Sequence, residues 1–191
     1  MAQTYEQMDA IAMLKADHRK VEDIFASFEK ATGKARKQSL AEQACLELKV
    51  HTIIEEEIFY PACRGADVES DDIDEAYVEH DAAKVLINDI EAGGPDEAFY
   101  DAKVKVLSEM IEHHVEEEEK RSEGLFAQAR AAGLDMDALA ERMRARKQTA
   151  MAEFKAGAPA ETRTFEGDDM DSALIEDDGV DRSAAPDLDA R

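Results

Sequence analysis

Apolar residues recur at three- and four-residue spacing over the first 155 positions, and the recurrence stops at turn-forming residues. This pattern predicts helices over about 9–30, 39–60, 71–91 and 96–131, with a shorter fifth helix over about 135–154. Asp9 is placed to cap the first, and Thr32-Gly33 ends it. Pro61 is expected to stop the second, and Gly93-Gly94-Pro95 the third. The fourth ends near Gly133, with a possible break at Gly124. No stretch alternates with period two for long enough to rival this reading. Helices of about 22 residues are about 33 Å long, and short connections make neighbours antiparallel. The expected fold is all-α: an up-down-up-down four-helix bundle over residues 1–134, an extra C-terminal helix over 135–155 packed on its outside or end, and an acidic disordered tail over 156–191.

Composition agrees and adds exclusions. The 191 residues suffice for one domain with extensions, and Trp is absent. Acids outnumber bases 46 to 23, a net charge of −23, which argues against nucleic acid and anionic membrane surfaces as partners. The tail accounts for −8 of this, with 11 acids and 3 bases and few large apolar residues. No run of 18 apolar residues predicts a membrane span, and the first residues lack the basic-then-apolar signature of a signal peptide. Cys45 and Cys63 are expected as reduced thiols in a cytoplasmic protein. Cys63, just past the predicted helix end, reads as a small packing residue with exposed redox chemistry as the alternative; Tyr60 reads as a core or helix-end residue.

The five histidines change the picture. His18 shares a helical face with Leu14, Val21 and Phe25; His51 with Leu48, Ile54 and Ile58; His80 with Tyr77, Ala83 and Ile87; His114 with Leu107, Met110 and Ile111. Each of four helices therefore aims an imidazole at the shared core, where it costs free energy unless bonded or coordinated. His51 is followed at i+4 by Glu55, and His114 by Glu118, so each pair offers one nitrogen and one oxygen from the same face. The spacing from His18 to His51 is 33 residues and from His80 to His114 is 34, so the chain reads as two copies of one helix pair. Four imidazoles and two carboxylates suit iron, manganese or zinc, and two buried carboxylates without a cation would repel. His113 with Glu117 has the same i+4 spacing and is the alternative to His114 with Glu118. Glu56, Glu57, Glu116 and Glu119 are expected on the solvated face or just behind the ligands.

These residues resemble the hemerythrin-like, HHE cation-binding family. The resemblance lies in Leu14-Lys15-Ala16-Asp17-His18, His51-Thr52-Ile53-Ile54-Glu55-Glu56-Glu57-Ile58-Phe59-Tyr60-Pro61, Glu79-His80-Asp81 and His114-Val115-Glu116-Glu117-Glu118-Glu119, and spans about 9–130. It implies a four-helix bundle holding a non-haem di-iron centre on His18, His51, Glu55, His80, His114 and Glu118. Oxygen-carrying hemerythrins add a histidine one turn after the third-helix one, where this chain has Lys84, and end the fourth-helix motif in Asp at +5, where it has Glu119. A missing imidazole leaves the site more open to water or an added ligand. The implied function shifts from reversible oxygen carriage toward sensing a small diatomic ligand such as oxygen or nitric oxide, or toward handling iron. One alternative is a di-iron enzyme acting on peroxide, oxygen or nitric oxide; another is an interaction protein gated by metal, with the acidic tail contacting a partner.

Overall fold

The computed structural model describes residues 4–66 and 68–157, and among them there is helix but no strand. The predicted tail therefore lies almost wholly outside the described residues. Among the described residues seven α-helices follow one another: α1 (Ala10–Lys30), α2 (Lys34–Ile54), α3 (Tyr60–Arg64), α4 (Ser70–Gly93), α5 (Tyr100–Glu119), α6 (Leu125–Ala131) and α7 (Met136–Lys155). Four long ones close a ring, α1 against α2, α2 against α4, α4 against α5 and α5 against α1. α7 lies across α1 and α2, burying Leu139, Ala140, Met143 and Ala150. None of these helices is long and apolar enough to cross a membrane.

Asp9 caps α1: its Oδ1 accepts a hydrogen bond from the Ala12 amide at 2.8 Å, and its Oδ2 takes Arg130 at 2.7 Å. Partial burial opposes its charge, but the Ala12 amide and Arg130 outweigh that and hold the carboxyl below its usual pKa. Asp9→Ala is expected to cost about 1 kcal/mol of stability near neutral pH. The depressed pKa fixes the sign. The contribution is complete above the ordinary carboxylate range and is lost as pH falls through the lowered value, so melting curves of the two proteins should converge in acid.

The second helix departs from expectation at Pro61. The chain does not stop there but widens into one π-helical turn over Glu55–Phe59 and continues through α3. The Tyr60 amide donates to the Glu55 carbonyl, five residues back. The same register would give the Glu56 carbonyl to residue 61, a proline without an N–H. Tyr77 supplies the missing donor, its hydroxyl reaching the Glu56 carbonyl at 3.2 Å. The fourth predicted helix does break, into α5 and α6. Gly124 is required at the turn, because a Cβ there would lie 2.6 Å from the Glu117 and Glu118 carbonyls.

The apolar core is split in two. One cluster gathers Met13, Leu14, Phe59, Ile73, Phe126 and Met143; the other gathers Val21, Phe25, Leu48, Ile87, Val104 and Leu107. His18, His51 and His80 each fall, along their helices, between a residue of the first cluster and one of the second, and His114 lies among them. A polar layer therefore crosses the middle of the molecule.

Candidate metal centre

All six residues singled out by pattern meet in that layer: His18, His51, Glu55, His80, His114 and Glu118, each no more than 4 % exposed. The Nε2 atoms of His18 and His51 face each other at 3.0 Å, and those of His80 and His114 at 3.3 Å. The carboxylates span the two pairs. Glu55 Oε2 lies 3.1 Å from His51 Nε2 and 3.4 Å from His80 Nε2. Glu118 Oε2 lies 3.4 Å from His18 Nε2 and 3.6 Å from His114 Nε2. His113, in contrast, is 59 % exposed, and Glu117 is exposed too.

Behind each imidazole stands a carboxylate from the preceding helix of the ring. His18 Nδ1 meets Glu119 Oε1 at 2.9 Å, His80 Nδ1 meets Glu56 Oε1 at 2.9 Å, and His114 Nδ1 meets Glu79 Oε2 at 2.8 Å. Asp17 Oδ2 stands 3.7 Å from His51 Nδ1. So α1 supports α2, α2 supports α4, α4 supports α5, and α5 supports α1. The internal duplication extends to this layer: the supports sit one residue before His18 and His80, and five after His51 and His114. Cations back three of them in turn. Arg19 donates to Glu119 at 2.7 Å, Lys84 to Glu56 at 2.8 Å, and Lys147 of α7 pairs with Asp17, which also accepts from the Tyr5 hydroxyl at 3.4 Å. At His18, His80 and His114 the hydrogen-bonded carboxylate keeps the proton on Nδ1 and turns the Nε2 lone pair toward the centre, whereas Asp17 faces His51 Nδ1 across a gap too long for a hydrogen bond.

This arrangement fits a cation. Two Nε2 lone pairs at about 3 Å repel unless a positive charge lies near them. Both oxygens of Glu55 and Oε2 of Glu118 are buried without any hydrogen-bond partner. Burial and the neighbouring Glu55 push the Glu118 carboxyl up to about 8, while His51 and His80 overcome burial to hold Glu55 well below its usual range. Burial lowers His18 to about 4; at His51 the Glu55 and Asp17 carboxylates outweigh burial and raise it to about 10. Donors of this kind, mixed imidazole and carboxylate, match first-row transition ions.

Tyr60 also belongs to the site, which its position in the sequence conceals. Its hydroxyl, fully buried, donates to Glu118 Oε1 at 3.0 Å and lies 3.3 Å from His80 Nε2. Nine residues of ideal α-helix would turn it about 180° away from His51. The π turn absorbs the difference and brings it inward. Tyr60→Phe keeps the volume and removes only that hydroxyl. The expected result is a folded chain whose metal affinity falls about 10–100-fold, measured by competition with a chelator. Cys63 sits fully buried, with its thiol pushed up to about 12 by desolvation, the opposite of a reactive thiolate. Of the four glutamates expected behind the ligands or in solvent, Glu56 and Glu119 support histidines, Glu57 pairs with Arg146 at 2.6 Å, and Glu116 is exposed.

Fold and site define a helical protein with a buried histidine–carboxylate centre able to hold a cation. The family model described as Hemerythrin HHE cation binding domain matches residues 9–124, and the chain belongs to that family. A hemerythrin HHE cation-binding domain-containing protein from Mycobacterium kansasii has a similar structure, with a TM-score of 0.65 at 20% identity, covering 80% of this chain and 96% of that one. A protein of Nostoc sp. named DNA nickase is 29% identical over 125 residues, 65% of this chain. The match covers 34% of that relative's length.

Proposed function

We propose that this chain is a non-haem di-iron protein, built on an up-down-up-down four-helix bundle, that binds or senses a small ligand such as oxygen or nitric oxide, or handles iron. The carrying observation is the set of buried, unpartnered oxygens on Glu55 and Glu118 between two facing imidazole pairs. His18 and His51 would hold one ion, His80 and His114 the other, with Glu55 and Glu118 reaching both pairs. Iron supplies redox-active Lewis acidity there; manganese or zinc would satisfy the same donors.

The chain's own residues set what can approach. A cavity of about 10 Å³ lies beside the four histidines, walled by Val21, Leu48, Ile111 and Val115. A space of that size holds about one water, so it admits only a very small ligand, and its apolar walls keep bulk water out. Lys84, standing where oxygen carriers have a further histidine, turns its ammonium to Glu56 and so offers the centre no nitrogen lone pair. Tyr60 presents a neutral hydroxyl beside Glu118, a hydrogen-bond donor at the inner wall. The nickase activity named for the Nostoc relative is not carried over, since a chain of net charge −23 lacks the basic excess that phosphate contacts need.

Anaerobic loading with ferrous iron tests this reading. About two irons per chain are expected, with a near-ultraviolet absorption after air oxidation that shifts with azide or nitric oxide. Less than about one iron per chain, unchanged by His51→Ala, would sink it.

A further inference from the structure

Three of the four carboxylates behind the imidazoles make their hydrogen bond, and one does not. Glu119, Glu56 and Glu79 stand 2.9, 2.9 and 2.8 Å from Nδ1 of His18, His80 and His114, whereas Asp17 Oδ2 stands 3.7 Å from His51 Nδ1. Both atoms of that open pair are buried without a hydrogen-bond partner, on residues 5 % and 4 % exposed. Closing the gap takes a shift of about 1 Å. A buried carboxylate and imidazole gain from closing it, so something holds Asp17 back.

The other oxygen is what holds it. Asp17 Oδ1 pairs with Lys147 of α7 and accepts from the Tyr5 hydroxyl at 3.4 Å, and Lys147 Nζ donates to that same hydroxyl at 2.8 Å. Direction matters here, not the lysine alone. At Glu56 a single oxygen, Oε1, meets both Lys84 and His80. At Asp17 the lysine takes one oxygen while His51 faces the other. α7 is anchored on both sides of Lys147: Met143 and Ala150 are fully buried, and Arg146 grips Glu57 of the π turn at 2.6 and 2.9 Å. Arg144 donates to the Met8 carbonyl at 2.9 Å, which ties the segment carrying Tyr5 to the same helix. Lys147 and Tyr5 both lie outside residues 9–124, the stretch that matches the family model.

We propose that Lys147 and Tyr5 clamp Asp17 away from His51 and so make the two ion positions unequal, the His18–His51 position binding its ion more weakly than the His80–His114 position. The inequality rests on the reading of the buried centre as a metal centre. A carboxylate bonded to Nδ1 orients the ring and raises the basicity of Nε2, and its loss costs about 10–100-fold in metal affinity. His80 and His114 both have that bond; His51 lacks it. Lys147 is a positioning residue: it sets the affinity of the first pair through Asp17 and His51. Loading is thereby ordered, with the His80–His114 position filling first.

The test titrates the full metal-free chain with cobaltous ion against a chelator, the visible bands of the bound ion reporting each step. The wild type should load in two steps. Repulsion between neighbouring ions also separates steps, so the variants decide. Lys147→Met releases Asp17, and the weaker step should tighten about tenfold while the stronger one stays put. Lys147→Arg, which keeps a cation on Asp17, should keep the wild-type spacing. A purely structural role for Lys147 would instead weaken both steps. Tyr5→Phe removes one donor from Asp17 at a half-buried position and should tighten the weaker step about twofold to tenfold, which decides the matter even where Lys147→Met does not fold. A weaker step unchanged or loosened in the folded variants would overturn the clamp and leave the metal centre standing. A wild-type chain that takes up no cobaltous ion would overturn the metal centre and the clamp with it.

Discussion

Iron loading should raise the melting temperature of the wild-type chain by about 8–16 °C, and Glu118→Gln should abolish most of that gain while leaving the metal-free chain nearly unchanged. The magnitude follows from linkage. A ligand present at about 1,000 times its dissociation constant stabilises by about 4 kcal/mol, and each kcal/mol is worth about 2–4 °C in a protein of this size. The sign for the metal-free chain follows from geometry. Glu55 and Glu118 sit in one dry layer, and Glu118 is the one that burial and its neighbour disfavour as an anion. A neutral isostere keeps the shape, can still accept the Tyr60 hydroxyl, and relieves the repulsion. With metal the same change removes an anionic donor that lies near both imidazole pairs. Differential scanning calorimetry with and without ferrous iron reads both effects. An undiminished gain in the variant would show that Glu118 is not a ligand; a metal-free variant melting far below the metal-free wild type would show that its role is structural.

Lys84→Met should cost about 3–5 kcal/mol. Lys84 is 6 % exposed and Glu56 9 %, and their contacts at 2.8 and 2.9 Å place a full ion pair inside the molecule. Removing the ammonium leaves the buried Glu56 carboxylate with His80 Nδ1 but without its cation, which costs more than the pair contributes. Adding Glu56→Gln removes that uncompensated charge, so the double variant should recover most of the stability. A second readout distinguishes support of the centre from simple packing. Glu56 fixes His80, so metal affinity of Lys84→Met should fall about 10–100-fold alongside stability. A single variant within about 1 kcal/mol of wild type, measured by urea unfolding, would overturn this account.

The helices and their inward histidines were legible because helical periodicity is a local property: Leu14, His18, Val21 and Phe25 share a face whatever the helix packs against. The two His-x-x-x-Glu pairs were legible for the same reason, and Leu107, Met110 and Ile111 sufficed to favour His114 over His113. Three features were not. Tyr60 faces the site only because a π turn precedes it, and that turn depends on Pro61 and on a donor from Tyr77, 21 residues away from the carbonyl it satisfies. The end at Pro61 was misplaced because propensity penalises a missing N–H without knowing that a distant hydroxyl replaces it. The supporting carboxylates were hidden by adjacency. Asp17 stands next to His18 but faces His51, and Glu79 stands next to His80 but serves His114. By itself, then, the sequence determined which side chains point inward and which chemistry they offer, since both follow from spacing along single helices. Only the tertiary structure decided which carboxylate holds which imidazole, because those bonds run between helices around the ring, and their geometry exists only once the four have packed.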